Sequence, residues 1–125
     1  MDKKPVIAIV DDDQSAREGI VDLVSSMGFE ARAFERAEDF LRSHQMACAD
    51  CLITDVRMPG MNGLELLDRL LAAGKSIPAI VLTAFMQEAD RVRAFSAGAV
   101  CYMPKPFHES ELMKCIGEAL SSGRL

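Results

Sequence analysis

Four short apolar segments of this chain each lead into a polar residue of a kind that binds metal ions or phosphate. The segments cover 6–10, 51–54, 79–82 and 100–103, and the polar residues after them are Asp11, Asp12 and Asp13, then Asp55, Thr83 and Lys105. Because the carboxyl ends of parallel strands line one edge of an α/β sheet, ligands bind there. The pattern therefore predicts carboxylates, a hydroxyl group and an ammonium group at one site.

Size and charge narrow the class of protein. The chain has 125 residues, which fits one domain spanning 1–125, and 50% of them are hydrophobic, enough for a buried core. The net charge of -5 argues against direct nucleic-acid binding by this domain. No apolar stretch approaches the ~18 residues of a membrane span, and the start does not resemble a signal peptide. We therefore expect a cytoplasmic domain that does not enter the membrane.

Helical patterns alternate with the apolar segments. Helices are predicted over about 13–27, around 37–41, from Asn62 to Gly74, over about 86–97 and over about 109–121, and residues 30–34 alternate as a half-exposed edge strand does. This alternation predicts an α/β fold with a doubly wound five-stranded parallel sheet. The flavodoxin-like (βα)5 order 2-1-3-4-5 would place the first and third strands side by side, so that Asp11, Asp12 and Asp55 become neighbours.

The four cysteines do not indicate a metal or redox motif. Cys48 and Cys51 have the C-x-x-C spacing, but a zinc site would need two more ligands nearby. A redox motif of that spacing is expected to open a helix, whereas Cys51 opens a predicted strand. We expect reduced, mostly buried cysteines that act as small hydrophobic residues.

The predicted cluster of carboxylates is costly without a cation. Two carboxylates about 5 Å apart repel by roughly 3 kcal/mol at an effective dielectric constant near 20. Oxygen ligands and few protein donors favour Mg²⁺. An aspartate beside such an ion can accept a phosphoryl group, and Asp55 stands alone at the tip of a central strand. Lys105 can neutralise the phosphoryl oxygens during transfer, and the Thr83 hydroxyl can donate to one of them.

Four sequence motifs together resemble one known family. They are Ile-Val-Asp-Asp-Asp at 9–13, Thr-Asp-Val-Arg-Met-Pro-Gly-Met-Asn-Gly at 54–63, Val-Leu-Thr-Ala at 81–84 and Lys-Pro-Phe at 105–107. In this order and spacing they resemble the receiver domain of bacterial two-component response regulators, over nearly the whole chain. Arg-Met-Pro at 57–59 and Lys-Pro-Phe are most similar to regulators of the FixJ kind, which carry a helix-turn-helix output domain.

The resemblance implies a metal site and a phosphoacceptor. Asp55 would accept the phosphoryl group from a sensor histidine kinase. Asp12, Asp55 and the backbone carbonyl of Arg57 would ligate Mg²⁺ directly, and Asp11 would act through a metal-bound water. The domain would be a signalling phosphoacceptor rather than an enzyme, acting at most on its own phosphorylation and dephosphorylation.

The resemblance also implies a conformational switch. Thr83 and Lys105 would grip the phosphoryl group, and Tyr102 would turn inward when Thr83 moves. The Lys105–Pro106 peptide bond would be cis. Phosphorylation would regulate a transcriptional output domain or a partner, and it could produce a homodimer through the predicted fourth helix and the fifth strand.

Two other functions are weighed against this one. The pair Asp11 and Asp13 resembles the first motif of haloacid-dehalogenase-like phosphatases, with Asp11 as nucleophile, but the chain is short for that family and Asp55 would have no role. A receiver-like interaction module would have lost an acidic or lysine position, and none is lost here. Asp13 is expected only to cap the first helix. His44 and His108 are expected to be surface residues without a catalytic or metal-binding role.

Two segments depart from the receiver pattern. His108 stands where the family often has an acidic or small polar helix cap, which puts the start of the fifth helix in question. Phe85, Met86 and Gln87 are bulkier than a glycine-rich loop. Their apolar side chains are expected either to pack inward or to meet a partner.

Overall fold

A computed structural model describes residues 4–122, in which five parallel strands form one sheet. The predicted domain limits at residues 1 and 125 lie outside the described residues. The strands are β1 (Val6–Val10), β2 (Glu30–Phe34), β3 (Cys51–Asp55), β4 (Ala79–Thr83) and β5 (Ala99–Pro104). Their spatial order is β2-β1-β3-β4-β5, and every neighbouring pair is parallel. The predicted fold class and strand order are confirmed.

Helices cover both faces of this sheet. They are α1 (Gln14–Ser26), α2 (Ala37–Leu41), α3 (Gln45–Cys48), α4 (Gly63–Ala72), α5 (Glu88–Ser96) and α6 (Glu109–Ser122). The four-residue α3 was not predicted, because so short a helix leaves no periodic pattern. The predicted third, fourth and fifth helices are therefore α4, α5 and α6. Gly74 and Gly98 follow α4 and α5 with positive φ angles of 73° and 107°, in the left-handed region where glycine is favoured.

The core consists of one apolar layer on each face of the sheet. In β1, Ala8 and Val10 pack into the layer under α2, α4 and α5, whereas Ile7 and Ile9 pack into the layer under α1 and α6. β3 and β4 supply both layers in the same way, which explains their continuous apolar sequences. In β2 only partly buried and exposed positions occur, as predicted for an edge strand.

Two of the helices over the layer that contains Ala8 and Val10, α4 and α5, are anchored very differently. In α4 the apolar side chains buried below 4% exposure are four leucines: Leu64, Leu66, Leu67 and Leu70. In α5 the only buried residue is Ala94. Because hydrophobic stabilisation scales with the apolar area removed from water, α4 is held to the sheet much more strongly than α5.

Local capping fixes the helices that follow β1 and β3. The Asn62 side chain accepts a hydrogen bond from the Glu65 backbone N–H (2.8 Å), and the Glu65 carboxylate accepts one from the Asn62 N–H (2.9 Å), so the two residues form a capping box. Asp13 caps α1 by accepting from the Ser15 N–H (3.3 Å), as predicted. At Gly63 a Cβ atom would lie 2.0 Å from the Asp55 carbonyl oxygen, so α4 begins in direct backbone contact with the end of β3.

The cysteine prediction is wrong for half of the cysteines. Cys101 and Cys115 form a disulfide between β5 and α6. Cys51 is free and buried, as expected, whereas Cys48 is free and exposed. The disulfide depends on how β5 and α6 pack in three dimensions, which the spacing of cysteines in the sequence does not encode. Among the described helices, none is long and apolar enough to cross a membrane.

Candidate phosphorylation site

Three carboxylates meet at the carboxyl edge of the sheet. Asp11 follows β1, Asp55 ends β3, and the pairing of Val10 with Thr54 sets these two strand ends side by side. One carboxylate oxygen each from Asp11, Asp12 and Asp55 lies within 4.8 Å of the others. The predicted cluster is therefore present, with Asp11 buried (1% exposed), Asp55 partly buried and Asp12 exposed.

Lys105 bridges two of these carboxylates. Its Nζ atom lies 2.8 Å from Asp11 Oδ2 and 3.0 Å from Asp55 Oδ2. Its backbone N–H donates to the Thr83 carbonyl (2.8 Å), and the bond to Pro106 is cis, as the resemblance implies. Asp11 is held from a second side, because its Oδ1 atom accepts from the Asp13 N–H at 2.9 Å.

The charges of this cluster perturb each other. Burial alone would lower the pKa of Lys105, but its hydrogen bonds to Asp11 and Asp55 outweigh that effect and raise the pKa. Burial raises the pKa of Asp55, and the hydrogen bond from Lys105 opposes this shift only in part. The two directions are compatible, because Lys105 faces two anions while Asp55 faces one cation and the anion of Asp11. Ionising Asp55 therefore costs more in the metal-free fold than in water, and a second cation would lower that cost.

The Thr83 hydroxyl is directed toward the following loop. Thr83 is buried, and its Oγ1 donates to the Phe85 carbonyl (2.9 Å) and accepts from the Phe85 N–H (3.1 Å). Among the described hydrogen bonds none joins the Thr83 hydroxyl to the side chain of Asp55 or Lys105, so this hydroxyl would have to give up its bonds to Phe85 before it could donate to a phosphoryl oxygen. Phe85 is 63% exposed, and the centroid of its ring lies 5.8 Å from the Arg57 guanidinium carbon, a cation–π contact.

Tyr102 holds the other end of the same loop. Its hydroxyl accepts from the Gln87 N–H (3.3 Å) and approaches the Gln87 carbonyl (3.5 Å), just before α5 begins. The segment 84–87 is therefore fastened at one end by Thr83 and at the other by Tyr102. Phe85 and Met86 between them are exposed, so of the two alternatives left open by the sequence, inward packing is wrong.

Comparison with known proteins decides the family. The model of the response regulator receiver domain matches residues 7–117. The chain belongs to this family. The response regulator protein TmoT of Ectopseudomonas mendocina is 41% identical over 120 residues, which are 95% of this chain and 54% of TmoT. The transcriptional regulatory protein FixJ of Bradyrhizobium diazoefficiens is 34% identical over 120 residues, which are 96% of this chain and 58% of FixJ.

Solved structures agree with this receiver assignment. The response regulator StyR superposes with a TM-score of 0.90 at 41% identity, covering 97% of this chain and 61% of that chain. The chemotaxis protein CheY4 of Vibrio cholerae gives 0.85 at 27% identity, covering 94% and 100%. The chain spans about half the length of the curated relatives it matches. It is a receiver domain of a two-component response regulator, a phosphorylation-regulated signalling module, and the phosphatase alternative is wrong.

One residue at the receiver site carried no signal in the sequence. Glu38, in the first turn of α2, accepts a hydrogen bond from the Met61 N–H (3.1 Å) and so holds the loop that connects Asp55 to α4. Hydrogen bonds from its own backbone N–H and from that of Met61 lower the pKa of Glu38. Gly60 has φ +76°, and a Cβ atom there would lie 2.6 Å from Glu38 Oε2, so glycine permits this close approach.

The two histidines lie on the surface of the receiver, as predicted. His44 in the segment before α3 contacts Cys48 (3.1 Å), and both are exposed. His108 is exposed and its carbonyl accepts from the Glu111 and Leu112 N–H groups at the start of α6. The fifth predicted helix therefore begins where expected despite the unusual residue at 108.

Proposed function

We propose that Asp55 accepts a phosphoryl group from a sensor histidine kinase in a Mg²⁺-dependent reaction. The observation that carries this proposal is the position of Lys105 Nζ, which is hydrogen-bonded to both Asp55 and Asp11 at the edge where three carboxylates converge. A group that neutralises phosphoryl oxygens thus already touches the proposed nucleophile. The proposed receiver domain spans 1–125.

The donor set fits Mg²⁺. Three carboxylates within 4.8 Å offer hard oxygen ligands, and exposed Asp12 leaves room for retained waters. In the proposal Asp12, Asp55 and the Arg57 carbonyl hold the ion directly. Both oxygens of Asp11 accept hydrogen bonds from the protein, which supports its indirect role through a water. Bound Mg²⁺ would offset the carboxylate charge and that of the incoming phosphoryl oxygens.

The chemistry proposed for the chain itself is simple. An Asp55 carboxylate oxygen attacks phosphorus as the nitrogen–phosphorus bond of the phosphohistidine breaks, and the kinase imidazole departs with that electron pair. Lys105 redirects one of its hydrogen bonds from the Asp55 carboxylate to a phosphoryl oxygen. Beside Lys105, a surface hollow of about 420 Å³ is lined by Ala16, Pro106 and Phe107 among others, and it supports docking of an apolar kinase surface there.

Phosphotransfer is tested on the intact protein. After incubation with acetyl phosphate and Mg²⁺, we expect wild type to gain the mass of one phosphoryl group, and Asp55→Asn to gain none. Asp50→Asn is the matched control, because Asp50 precedes the opposite end of the same strand and accepts from the Val6 N–H. Phosphorylation of Asp55→Asn, or equal labelling in EDTA, would contradict the proposed site or its need for Mg²⁺.

We propose that phosphorylation reaches α5 through the loop 84–87. A phosphoryl group adds charge and acceptor oxygens beside Thr83, which favours the arrangement in which its hydroxyl leaves Phe85. Tyr102 is bonded to Gln87 at the other end of the loop, so movement of the loop would break this hydrogen bond and release the ring to turn inward. The exposed apolar residues of this region then support a phosphorylation-dependent homodimer through α5 and β5: Phe85, Met86, Val92 and Phe95.

The composition provides a direct reporter for this switch. Tyr102 is the only tyrosine and the chain has no tryptophan, so intrinsic fluorescence reports on this one ring. With beryllofluoride and Mg²⁺ we expect a change in tyrosine emission that Thr83→Ala greatly reduces, while Ser76→Ala behaves as wild type. Unchanged emission in a wild-type sample shown by mass to be phosphorylated would contradict the switch.

The remaining proposals concern the cellular setting. We propose a cytoplasmic signalling protein that is not an enzyme in its own right. Similarity to TmoT and FixJ supports a longer regulator of the FixJ kind, in which this domain controls a transcriptional output domain.

A further inference from the structure

The disulfide joins the strand that carries the switch tyrosine to the last described helix. Cys101 precedes Tyr102 in β5, Cys115 lies in α6, and their Cα atoms are 6.3 Å apart. Both side chains are partly buried against the core layer beneath α1 and α6. The bridged segment of 14-residue separation contains Lys105, so this bond encloses two of the proposed functional residues.

We propose that Cys101 and Cys115 form a reversible redox site that exchanges with low-molecular-weight disulfides of the glutathione type. This inference rests on the proposed cytoplasmic receiver function, because disulfides in reducing compartments are usually transient and redox-sensing. Of the other two cysteines, burial raises the pKa of Cys51 to about 12, which keeps its thiol protonated and unreactive. Exposed Cys48 is free and serves as an internal control.

The exchange balances without any further reagent. One cysteine thiolate attacks a sulfur of oxidised glutathione, the glutathione S–S bond breaks, and the first glutathione leaves as a thiolate that takes up a proton. The second cysteine thiolate then attacks the protein sulfur of the mixed disulfide, forming the Cys101–Cys115 bond and releasing the second glutathione. Two cysteine thiols lose two electrons and two protons, and one glutathione disulfide becomes two thiols.

Glu118 slows the formation of this disulfide. Its Oε1 atom lies 3.8 Å from Cys101 Sγ, a distance at which a thiol donates a hydrogen bond. Only the reduced cysteine has a proton to donate, so this contact stabilises the open state. The carboxylate also repels a negative charge on the sulfur, and the thiolate is the species that attacks.

The Cys101–Cys115 disulfide occurs together with one set of hydrogen bonds at Lys105 and Tyr102. In this arrangement Lys105 Nζ is bonded to Asp11 and Asp55, and the Tyr102 hydroxyl is bonded to Gln87. A covalent tie between β5 and α6 favours this arrangement over one in which the segment shifts. Because linkage is reciprocal, a phosphoryl mimic that shifts the segment must make the disulfide easier to reduce by the same factor.

The redox site is tested by counting thiols. Wild type is equilibrated with mixtures of reduced and oxidised glutathione, quenched with N-ethylmaleimide in denaturant, and weighed. We expect four alkylated cysteines in excess reduced glutathione. In excess oxidised glutathione Cys101 and Cys115 should carry neither the alkyl group nor glutathione, with peptide mapping placing the bond at Cys101–Cys115, whereas exposed Cys48 takes up one of the two reagents. In Cys48→Ser, Cys101 and Cys115 should escape alkylation as they do in wild type, while Cys101→Ser should form no internal disulfide. The proposal is overturned if both thiols stay alkylatable in excess oxidised glutathione, or if excess reduced glutathione leaves the bond intact.

Two further measurements separate a redox site from a static crosslink. Glu118→Gln should speed closure about 3- to 10-fold at neutral pH by removing the repelling charge, whereas Glu111→Gln on the same helix should not. Beryllofluoride with Mg²⁺ should shift the glutathione midpoint about two- to tenfold toward reduction, and Asp55→Asn should abolish this shift. Equal rates of disulfide formation in Glu118→Gln and wild type would contradict the role of Glu118. A glutathione midpoint that beryllofluoride does not move in wild type would contradict the coupling between the disulfide and the phosphorylation site. The mass of wild type after a separate incubation with acetyl phosphate and Mg²⁺ tests the proposed function by itself, since the thiol counts without beryllofluoride do not depend on it.

Discussion

Lys105→Met is expected to lower the free energy of unfolding of the metal-free domain by about 2 kcal/mol. Its ammonium group is the cation bonded to Asp11 and Asp55, and removing it leaves two carboxylates unpaired in a largely buried position. Loss of one partner of a buried ion pair typically costs about 3–5 kcal/mol, and the partial exposure of Lys105 reduces this figure. Urea unfolding in EDTA measures the change.

Mg²⁺ should reverse much of that loss, because it offsets the same carboxylate charge. Phosphotransfer should nevertheless slow by about 100-fold, the usual cost of removing a donor that stabilises developing oxygen charge. Lys114→Met, an exposed lysine of α6, is the matched control and should stay within about 0.5 kcal/mol of wild type. A Lys105→Met domain as stable as wild type in EDTA would show that the acidic cluster is not held by Lys105.

Asp12→Asn is expected to raise the free energy of unfolding in EDTA and to lower it, relative to wild type, when Mg²⁺ is present. Among the described hydrogen bonds and ion pairs none engages the Asp12 carboxylate, so in EDTA its removal relieves repulsion from Asp11 and Asp55 and stabilises the fold. Because Asp12 is exposed, the gain should be about 1 kcal/mol, at the low end of what crowded carboxylates would give. In Mg²⁺ the variant should lose at least about tenfold in metal affinity, since a direct ligand is gone.

Asp13→Ala separates this effect from helix capping. Asp13 caps α1, so its loss should destabilise the domain by about 1 kcal/mol with or without Mg²⁺. Thermal melts of the three proteins across a Mg²⁺ titration give both quantities. If Asp12→Asn is less stable than wild type in EDTA, the cluster is not strained in the way inferred here.

The positions that the sequence predicted well are those fixed by strand periodicity. Asp11, Asp55, Thr83 and Lys105 each follow an apolar segment, and parallel pairing brings such ends to one edge whatever the details of packing. The strand order was predictable because few right-handed arrangements of five strand–helix units exist.

Contacts between elements distant in sequence could not be predicted. Glu38 reaches Met61 across the sheet edge, and Cys101 reaches Cys115 only because α6 packs beside β5. The Thr83 hydroxyl donates to the Phe85 carbonyl rather than pointing toward Asp55, and the pattern of residue types does not predict which way a hydroxyl group points. Metal ligation and the roles of Thr83 and Tyr102 remain predictions that the experiments above address.

The unequal anchoring of α4 and α5 gives the receiver an uneven distribution of local stability. We expect the four leucines of α4 to keep the frame around Asp55 in the most stable part of the fold, whereas α5 and its C-cap contribute only the small side chains of Ala94 and Ala97 to the core and should open at lower cost. Excursions of α5 should therefore cost less free energy than unfolding of the whole domain. If Asp55 is phosphorylated as proposed, a charge change worth a few kcal/mol would be enough to redistribute such an ensemble, while the geometry around Asp55 stays intact.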